Sequence, residues 1–216
     1  MGLSLLIFDC DGVILESMDV KTRAFERIGN DFGKEMGERL AMYHAINGGV
    51  SRYEKFEWLY RMVYGRSITP DESAVLNGRF VDYALEEIAT SPLVAGTCDV
   101  LERWQGRVPM YVASGAPQEE LVFLLEKRGL GHYFNGIYGS PPSKGPLLLK
   151  ILQETGSPPE ETLMIGDSAY DLRAAEQAGT LFYGRGGRFK YGPHPWHEDL
   201  TRLNDYLEHL KSTPEA

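Results

Sequence analysis

The sequence predicts an α/β fold, a doubly wound parallel sheet with an all-helical domain inserted after its first strand. Three observations carry this. Short apolar runs that end in Asp, Ser or Gly alternate with helix-like segments, the rhythm of parallel strands covered by helices on both faces. Most of those segments end near a glycine (Gly106, Gly129, Gly156, Gly179), where a residue of positive φ is wanted to close a helix. Between Asp19 and Thr90, by contrast, helical periodicity continues without a convincing strand. The expected division is an α/β core over residues 1–15 and 91–216 and a helical cap over residues 16–90, lying across the ends of the strands.

In chain order, the first strand is Leu3 to Phe8, a short apolar run that leads into Asp11-Gly12. In the insert, Tyr53, Phe56, Leu59, Tyr60 and Val63 fall on one helical face, and Thr69-Pro70-Asp71-Glu72 is a capping box with proline at the first helical position. The α/β pattern resumes near Ser91-Pro92, with a helix over Thr97 to Gln105 and a strand over Val108 to Ala113 that ends at Ser-Gly. A helix from Gln118 to Arg128 follows, then a weaker strand from Phe134 to Tyr138, broken by Gly136, and a helix from Lys144 to Glu154. Thr162 to Ile165 is a strand ending at Gly-Asp, Ala169 to Ala178 a helix, and Thr180 to Tyr183 a strand ending at Gly. A last helix is expected over Trp196 to Leu210. Gly184 to Arg188 (GRGGR) has the look of a phosphate loop, but Pro193 and Pro195 follow in place of a helix, so a mobile loop is expected.

Composition narrows the functional classes. With 216 residues, 43% of them apolar, the chain can bury one core and a smaller satellite. The net charge of −9 and the lack of any basic run longer than two residues argue against a nucleic-acid partner. Cys10 and Cys98 are too few for a disulfide framework or a thiolate zinc site, which fits a reducing compartment, and His194 and His197 lack metal spacing. The start of the chain has no basic n-region and no long apolar run, so neither a signal peptide nor a membrane span is expected and the cytoplasm is the default. Oligomeric state is not legible.

In an open α/β sheet ligands bind at the carboxyl ends of the strands, and polar residues collect at three of these ends. Asp9 and Asp11 follow the first strand, Ser114 and Gly115 the VPMYVA strand, and Asp167 with Asp171 the TLMI strand. Lys144, at an expected helix start, can reach the same rim. These motifs, Phe8-Asp9-Cys10-Asp11-Gly12-Val13, Ala113-Ser114-Gly115, Lys144 and Gly166-Asp167-Ser168-Ala169-Tyr170-Asp171, resemble in kind and order those of the haloacid dehalogenase superfamily. Within it they resemble the helical-capped branch of phosphoglycolate phosphatases and β-phosphoglucomutases, over nearly the whole chain.

The chemistry can be argued from the residues. A carboxylate with an ordinary pKa near ~3.9 is ionised at neutral pH, so Asp9 needs no base to attack phosphorus and form an aspartyl-phosphate. Asp11, on a turn tightened by Gly12, is the candidate to protonate the leaving alkoxide and take a proton from water. Three rim carboxylates facing a phosphate dianion repel by roughly 4 kcal/mol per like pair at 4 Å and an effective dielectric of 20, so cations are required: Lys144 and Mg²⁺. The resemblance implies that Asp9 and Asp167 ligate Mg²⁺ by side chain and Asp11 by its backbone carbonyl, with Asp171 acting through water or supporting the ligands. Ser114 and the amides of Gly115 and Ala116 would hold the phosphoryl oxygens.

The cap segment Asn47-Gly48-Gly49-Val50-Ser51-Arg52 lies where related phosphatases contact substrate, which makes His44, Arg52 and Lys55 candidates for leaving-group recognition. The alternative of a plain glycine turn and an exposed arginine stands beside it. The expected function is a Mg²⁺-dependent phosphomonoesterase for a small phosphorylated metabolite. A sugar phosphomutase of the same design and a catalytically idle phospho-ligand binding module are the rivals.

Overall fold

A computed structural model describes residues 2–212; residue 1 and residues 213–216, the outer ends of the expected core segments, lie outside the described residues. The strands are β1 (Leu5–Phe8), β2 (Met110–Pro117), β3 (Gly136–Ser140), β4 (Thr162–Gly166), β5 (Leu181–Arg185) and β6 (Trp196–His197). Among the described residues they form one sheet in the order β3-β2-β1-β4-β5-β6, and every pairing is parallel. The order turns back at β1, so a crevice opens beside the carboxyl end of that strand.

β1 is buried along its whole length, and its alternation feeds two layers. Leu5 and Ile7 join one apolar cluster with Leu147, Leu148 and Ile151 of α7 (Lys144–Thr155) and Ala174 and Ala175 of α8 (Ala169–Ala178). Leu6 and Phe8 face the other layer, with Leu101 and Trp104 of α5 (Thr97–Trp104), Leu121 and Leu125 of α6 (Gln118–Lys127) and Leu203 of α9 (Leu203–Ser212). Register keeps the strand ends level: Phe8 pairs with Val112 on one side and Ile165 on the other.

Between β1 and α5 the described elements are helical: α1 (Met18–Asn30), α2 (Lys34–Ile46), α3 (Arg52–Tyr64) and α4 (Pro70–Thr90). The Thr69–Glu72 capping box is formed in both directions, with Pro70 at the first helical position. Entry to and exit from the helical segment are tied together, since Leu15 bridges Leu93, the Glu16 amide donates to the Pro92 carbonyl at 2.9 Å and the Val94 amide to the Ile14 carbonyl at 3.0 Å. Phe25, Leu40, Phe56 and Phe80 of the four helices belong to the same apolar cluster as Leu6 and Phe8.

Two stretches differ from the sequence reading. Trp196 begins no helix: Trp196–His197 is a sixth strand held by Gly184 and Gly186 amides donating to the Pro195 and His197 carbonyls, and α9 starts only at Leu203. An edge strand of two residues directly after Pro193 and Pro195 has too little pattern to register in sequence. β5 continues to Arg185, and the GRGGR stretch closes in a 3₁₀ turn, Gly187–Phe189, that buries Phe189 against Phe182 with ring centroids 5.1 Å apart.

Phe25 is 2% exposed and packs on Phe80 and His44 with centroids 4.9 and 4.7 Å away. Phe25→Ala should lower stability by about 3–5 kcal/mol, read as a fall in the urea midpoint with little change in slope.

Candidate active site

The level strand ends bring the predicted rim together. Asp9 follows β1, and its amide donates to the Ile165 carbonyl of β4 at 2.9 Å, which fixes the backbone of this residue to the neighbouring strand. Its Oδ1 accepts from the Cys10 amide at 2.7 Å and lies 2.9 Å from Lys144 Nζ, while Oδ2 takes no hydrogen bond among the described residues. Lys144, at the start of α7, is fully enclosed and pairs also with Asp171 Oδ1. Asp171 spends its other oxygen in a capping box at α8, accepting from Ser168 N at 2.9 Å and Ser168 Oγ at 2.6 Å.

Asp9, Asp167 and Asp171 each present a carboxylate oxygen within 4.8 Å of the others. Burial pushes Asp9 up to about 7, with Asp171 and Asp11 adding to the shift and Lys144 opposing it. Asp167 is likewise pushed well up, by burial and then by Asp171 and Asp9. The protein's own groups therefore do not give the fully ionised Asp9 expected from an ordinary carboxylate. Three acids against one lysine leave an excess of negative charge, and an oxygen cluster of this kind suits a hard divalent cation, whose charge reverses the shift. The residues present fit Mg²⁺, with Asp9 and Asp167 better placed to ligate than Asp171, whose oxygens are already engaged.

Asp11 faces elsewhere. Its Oδ1 accepts from Ser17 Oγ at 2.6 Å and its Oδ2 pairs with Lys21 of α1. Burial acts to raise this carboxyl, but Lys21 and the Ser17 hydrogen bond outweigh it and hold the pKa below the usual carboxylate range. Gly12, at φ 76°, makes the turn, and a side chain there would strike the Asp167 carboxylate.

Ser114 to Ala116 were expected in a turn after the strand; instead β2 runs on to Pro117 with its register broken between Ala113 and Pro117. Such an irregularity takes residues of the strand out of the regular ladder. Ser114 is 1% exposed, and its Oγ accepts from the Ala116 amide at 3.2 Å.

The cap supplies the opposite wall of one small cavity, about 20 Å³, which Asp9, Asp11, Ser114, Gly115 and Ala116 line from the core and Lys21, His44, Arg52 and Lys55 from the helical segment. Its volume is near the minimum for a water molecule. The turn at Gly49 seats directly on the core: a Cβ on Gly115 would lie 2.6 Å from the Gly49 carbonyl oxygen, and one on Gly49 would lie 3.0 Å from Ser168 Oγ. A second cavity, about 340 Å³, adjoins it past Gly49, Gly115 and Lys144.

All three cap candidates reach the cavity, though differently. Arg52 is not exposed: it forks Glu120 of α6 at 2.8 and 2.5 Å, donates to Asn77 at 3.0 Å and lies 4.0 Å over the Phe80 ring. Lys55 Nζ donates to the Val50 and Gly48 carbonyls at 2.7 and 3.3 Å. His44 is buried without a hydrogen bond of normal geometry to either ring nitrogen, the Met18 backbone lying near it. The sequence reading missed Ser17, Lys21, Glu120 and Ser168. A signal existed for Lys21, which shares the buried i, i+3, i+4, i+7 face of α1 with Ala24, Phe25 and Ile28; Glu120 offered none.

Comparison with known proteins places these features in context. The family model for haloacid dehalogenase-like hydrolases matches residues 3–179. A phosphoglycolate phosphatase of Pseudomonas putida is 27% identical over 200 residues, covering 87% of this chain and 71% of its own. The fructose-1-phosphate phosphatase YqaB of Escherichia coli is 25% identical over 183 residues, covering 81% of this chain and 92% of its own. The fold of β-phosphoglucomutase from Clostridium difficile superposes with a TM-score of 0.81 at 16% identity, covering 98% of this chain and 97% of that one. Among the described residues no helix is long and apolar enough to cross a membrane.

Burial, with Lys55 and Lys21 adding, lowers the His44 pKa from 6.5 to about 2. Between those values the unfolded chain binds a proton that the folded chain excludes, so stability falls as pH drops below 6.5. His44→Phe should remove this slope. Urea unfolding from pH 6.5 downward should shift in the variant's favour by up to about 1.4 kcal/mol per pH unit.

Proposed function

The chain belongs to the haloacid dehalogenase-like hydrolases, and from that premise we propose that it is a Mg²⁺-dependent phosphomonoesterase acting on a small phosphorylated metabolite. The observation that carries the reading is Asp9: a buried carboxylate at the end of the central strand that lines a cavity, one oxygen held by Lys144 and the Cys10 amide, the other without a hydrogen bond among the described residues. The phosphatase names of the Pseudomonas and Escherichia relatives support it.

In this reading Asp9 Oδ2 attacks phosphorus in line with the leaving oxygen and becomes the phosphoaspartate. Ser114 and the amides of Gly115 and Ala116, the latter giving up its bond to Ser114 Oγ, hold the phosphoryl oxygens, and Lys144 offsets their charge. Asp9 and Asp167, with the Asp11 carbonyl, would hold Mg²⁺, which when bound neutralises the acidic cluster and the phosphoryl group. Asp171 fixes Lys144 and is itself fixed by Ser168. Asp11, ionised and paired with Lys21 here, must leave that pair and take up a proton from solvent before it can protonate the leaving alkoxide, and it takes the next proton from the water that hydrolyses the phosphoaspartate. The helical segment, residues 16–90 in this reading, acts as the cap that excludes bulk water.

A phosphate-release screen over a metabolite panel, with and without EDTA, tests the proposal: metal-stimulated release is expected. Isomerised monophosphate from a bisphosphorylated sugar, in place of free phosphate, would instead mark a phosphomutase. Asp9→Asn should lose more than about 10³-fold in turnover while its circular dichroism stays unchanged. Hydrolysis of an ester made chiral at phosphorus with oxygen isotopes should proceed with overall retention, the mark of two in-line displacements, and inversion would refute the phosphoaspartate.

A further inference from the structure

The GRGGR stretch, Gly184 to Arg188, takes no part in the proposed reaction, yet its first arginine is built into the fold. The Gly184 and Gly186 amides donate to the Pro195 and His197 carbonyls at 2.9 and 2.7 Å, so the backbone on both sides of Arg185 is fixed to the edge strand. The turn that follows is fixed as well: Gly186 has φ 93°, and a side chain on Gly184 would lie 2.4 Å from the Phe189 ring. Arg185, its side chain 19% exposed, reaches the turn after β1, two strands away in the sheet order. Nη1 donates to the Gly12 carbonyl at 3.2 Å, and Nη2 pairs with the Glu16 carboxylate. Nε is buried and meets no acceptor among the described residues, so these two terminal contacts are what orient the guanidinium.

The two contacts grip the ends of one short turn. Within it the Gly12 amide donates to the Leu15 carbonyl at 2.7 Å, and Asp11 bridges Leu15, which bridges Leu93 where the chain returns from the helices. Asp11 stands immediately before Gly12, and Ser17, immediately after Glu16, donates to its carboxylate. Holding Gly12 and Glu16 therefore holds the backbone of Asp11 and the start of α1 in one register. In the proposed reaction the Asp11 carboxyl has to leave Lys21 and turn to the leaving oxygen, a movement that delivers a proton only if the backbone beneath it stays in place. A partly exposed ion pair adds little to global stability, whereas a planar guanidinium that spans two acceptors fixes geometry.

We propose that Arg185 is a positioning residue for Asp11, a clamp from β5 onto both ends of the turn that follows the acid. It rests on the phosphomonoesterase reading for its effect on turnover, and on the chain alone for its effect on the turn.

Two measurements on the full chain test it, with Arg185→Met and Arg185→Gln each checked for a native circular dichroism spectrum. Amide hydrogen exchange should rise about tenfold over residues 12–16 in both variants and stay unchanged in β1. The second measurement is kcat/KM in Mg²⁺ for phosphate monoesters of graded leaving-group pKa, which reports the step in which the leaving group departs. It should fall about tenfold for alkyl esters and less than about twofold for 4-nitrophenyl phosphate, whose leaving group needs no proton. Glu16→Ala, which removes one contact at a side chain 40% exposed, should give a smaller change alone and add nothing on top of Arg185→Met. A merely structural loss would lower all esters alike. A uniform fall, exchange over residues 12–16 that stays at the wild-type level, or effects of the two substitutions that add would overturn the clamp. If wild type hydrolyses none of the esters, the phosphatase reading fails, and the exchange measurement still decides whether Arg185 holds the turn.

Discussion

Lys144 stands sealed from solvent between Asp9 and Asp171, and the arrangement of the rim follows from that contact. Taking three charged groups out of water costs several kcal/mol for each, and only close pairing offsets it. The pairing draws together the end of β1, the start of α7 and the start of α8, which is possible because β1 lies centrally in the sheet with β4 as its neighbour. One lysine does not balance the acids once Asp167 is included, and the upward shifts at Asp9 and Asp167 express that imbalance. An oxygen cluster with this charge balance suits a hard cation.

Inserting the helices immediately after the nucleophile's strand has a second consequence. The first helix carries Lys21 back onto Asp11, with Ser17 just before it, so a residue of the core is oriented by residues of the insert. Farther along, Arg52 reaches across to Glu120, and the Gly49 turn seats on Gly115. Each contact joins the helical segment to the strand-end region, and a cavity of about 20 Å³ is left between them. In the proposed function the reacting groups stand at the strand ends, and the helices laid over them supply the facing wall.

Much of this was legible in the chain. Five of the strands, the helices after Gly96 apart from the start of the last, and the glycine terminators at Gly106, Gly129, Gly156 and Gly179 all lie where periodicity and turn chemistry put them, and each of those glycines has positive φ. The acids, Ser114 and Lys144 were legible as a rim because each stands at a strand end or helix start. The short β6 was not, since two residues carry no period, and neither was the bulge that carries Ser114 to Ala116 onward within β2.

The sequence by itself determined the α/β rhythm, the helical insert and the set of acids at the rim, because each depends on residues within a few positions of one another. Only the tertiary structure decided which charges are answered. Arg52 meets Glu120 across 68 positions and Lys144 meets Asp171 across 27, whereas Lys55, on the same buried face as Arg52, meets no acid among the described residues. Pairing and desolvation depend on packing between distant segments, so a cationic side chain is paired with an acid at one position and buried without one at another.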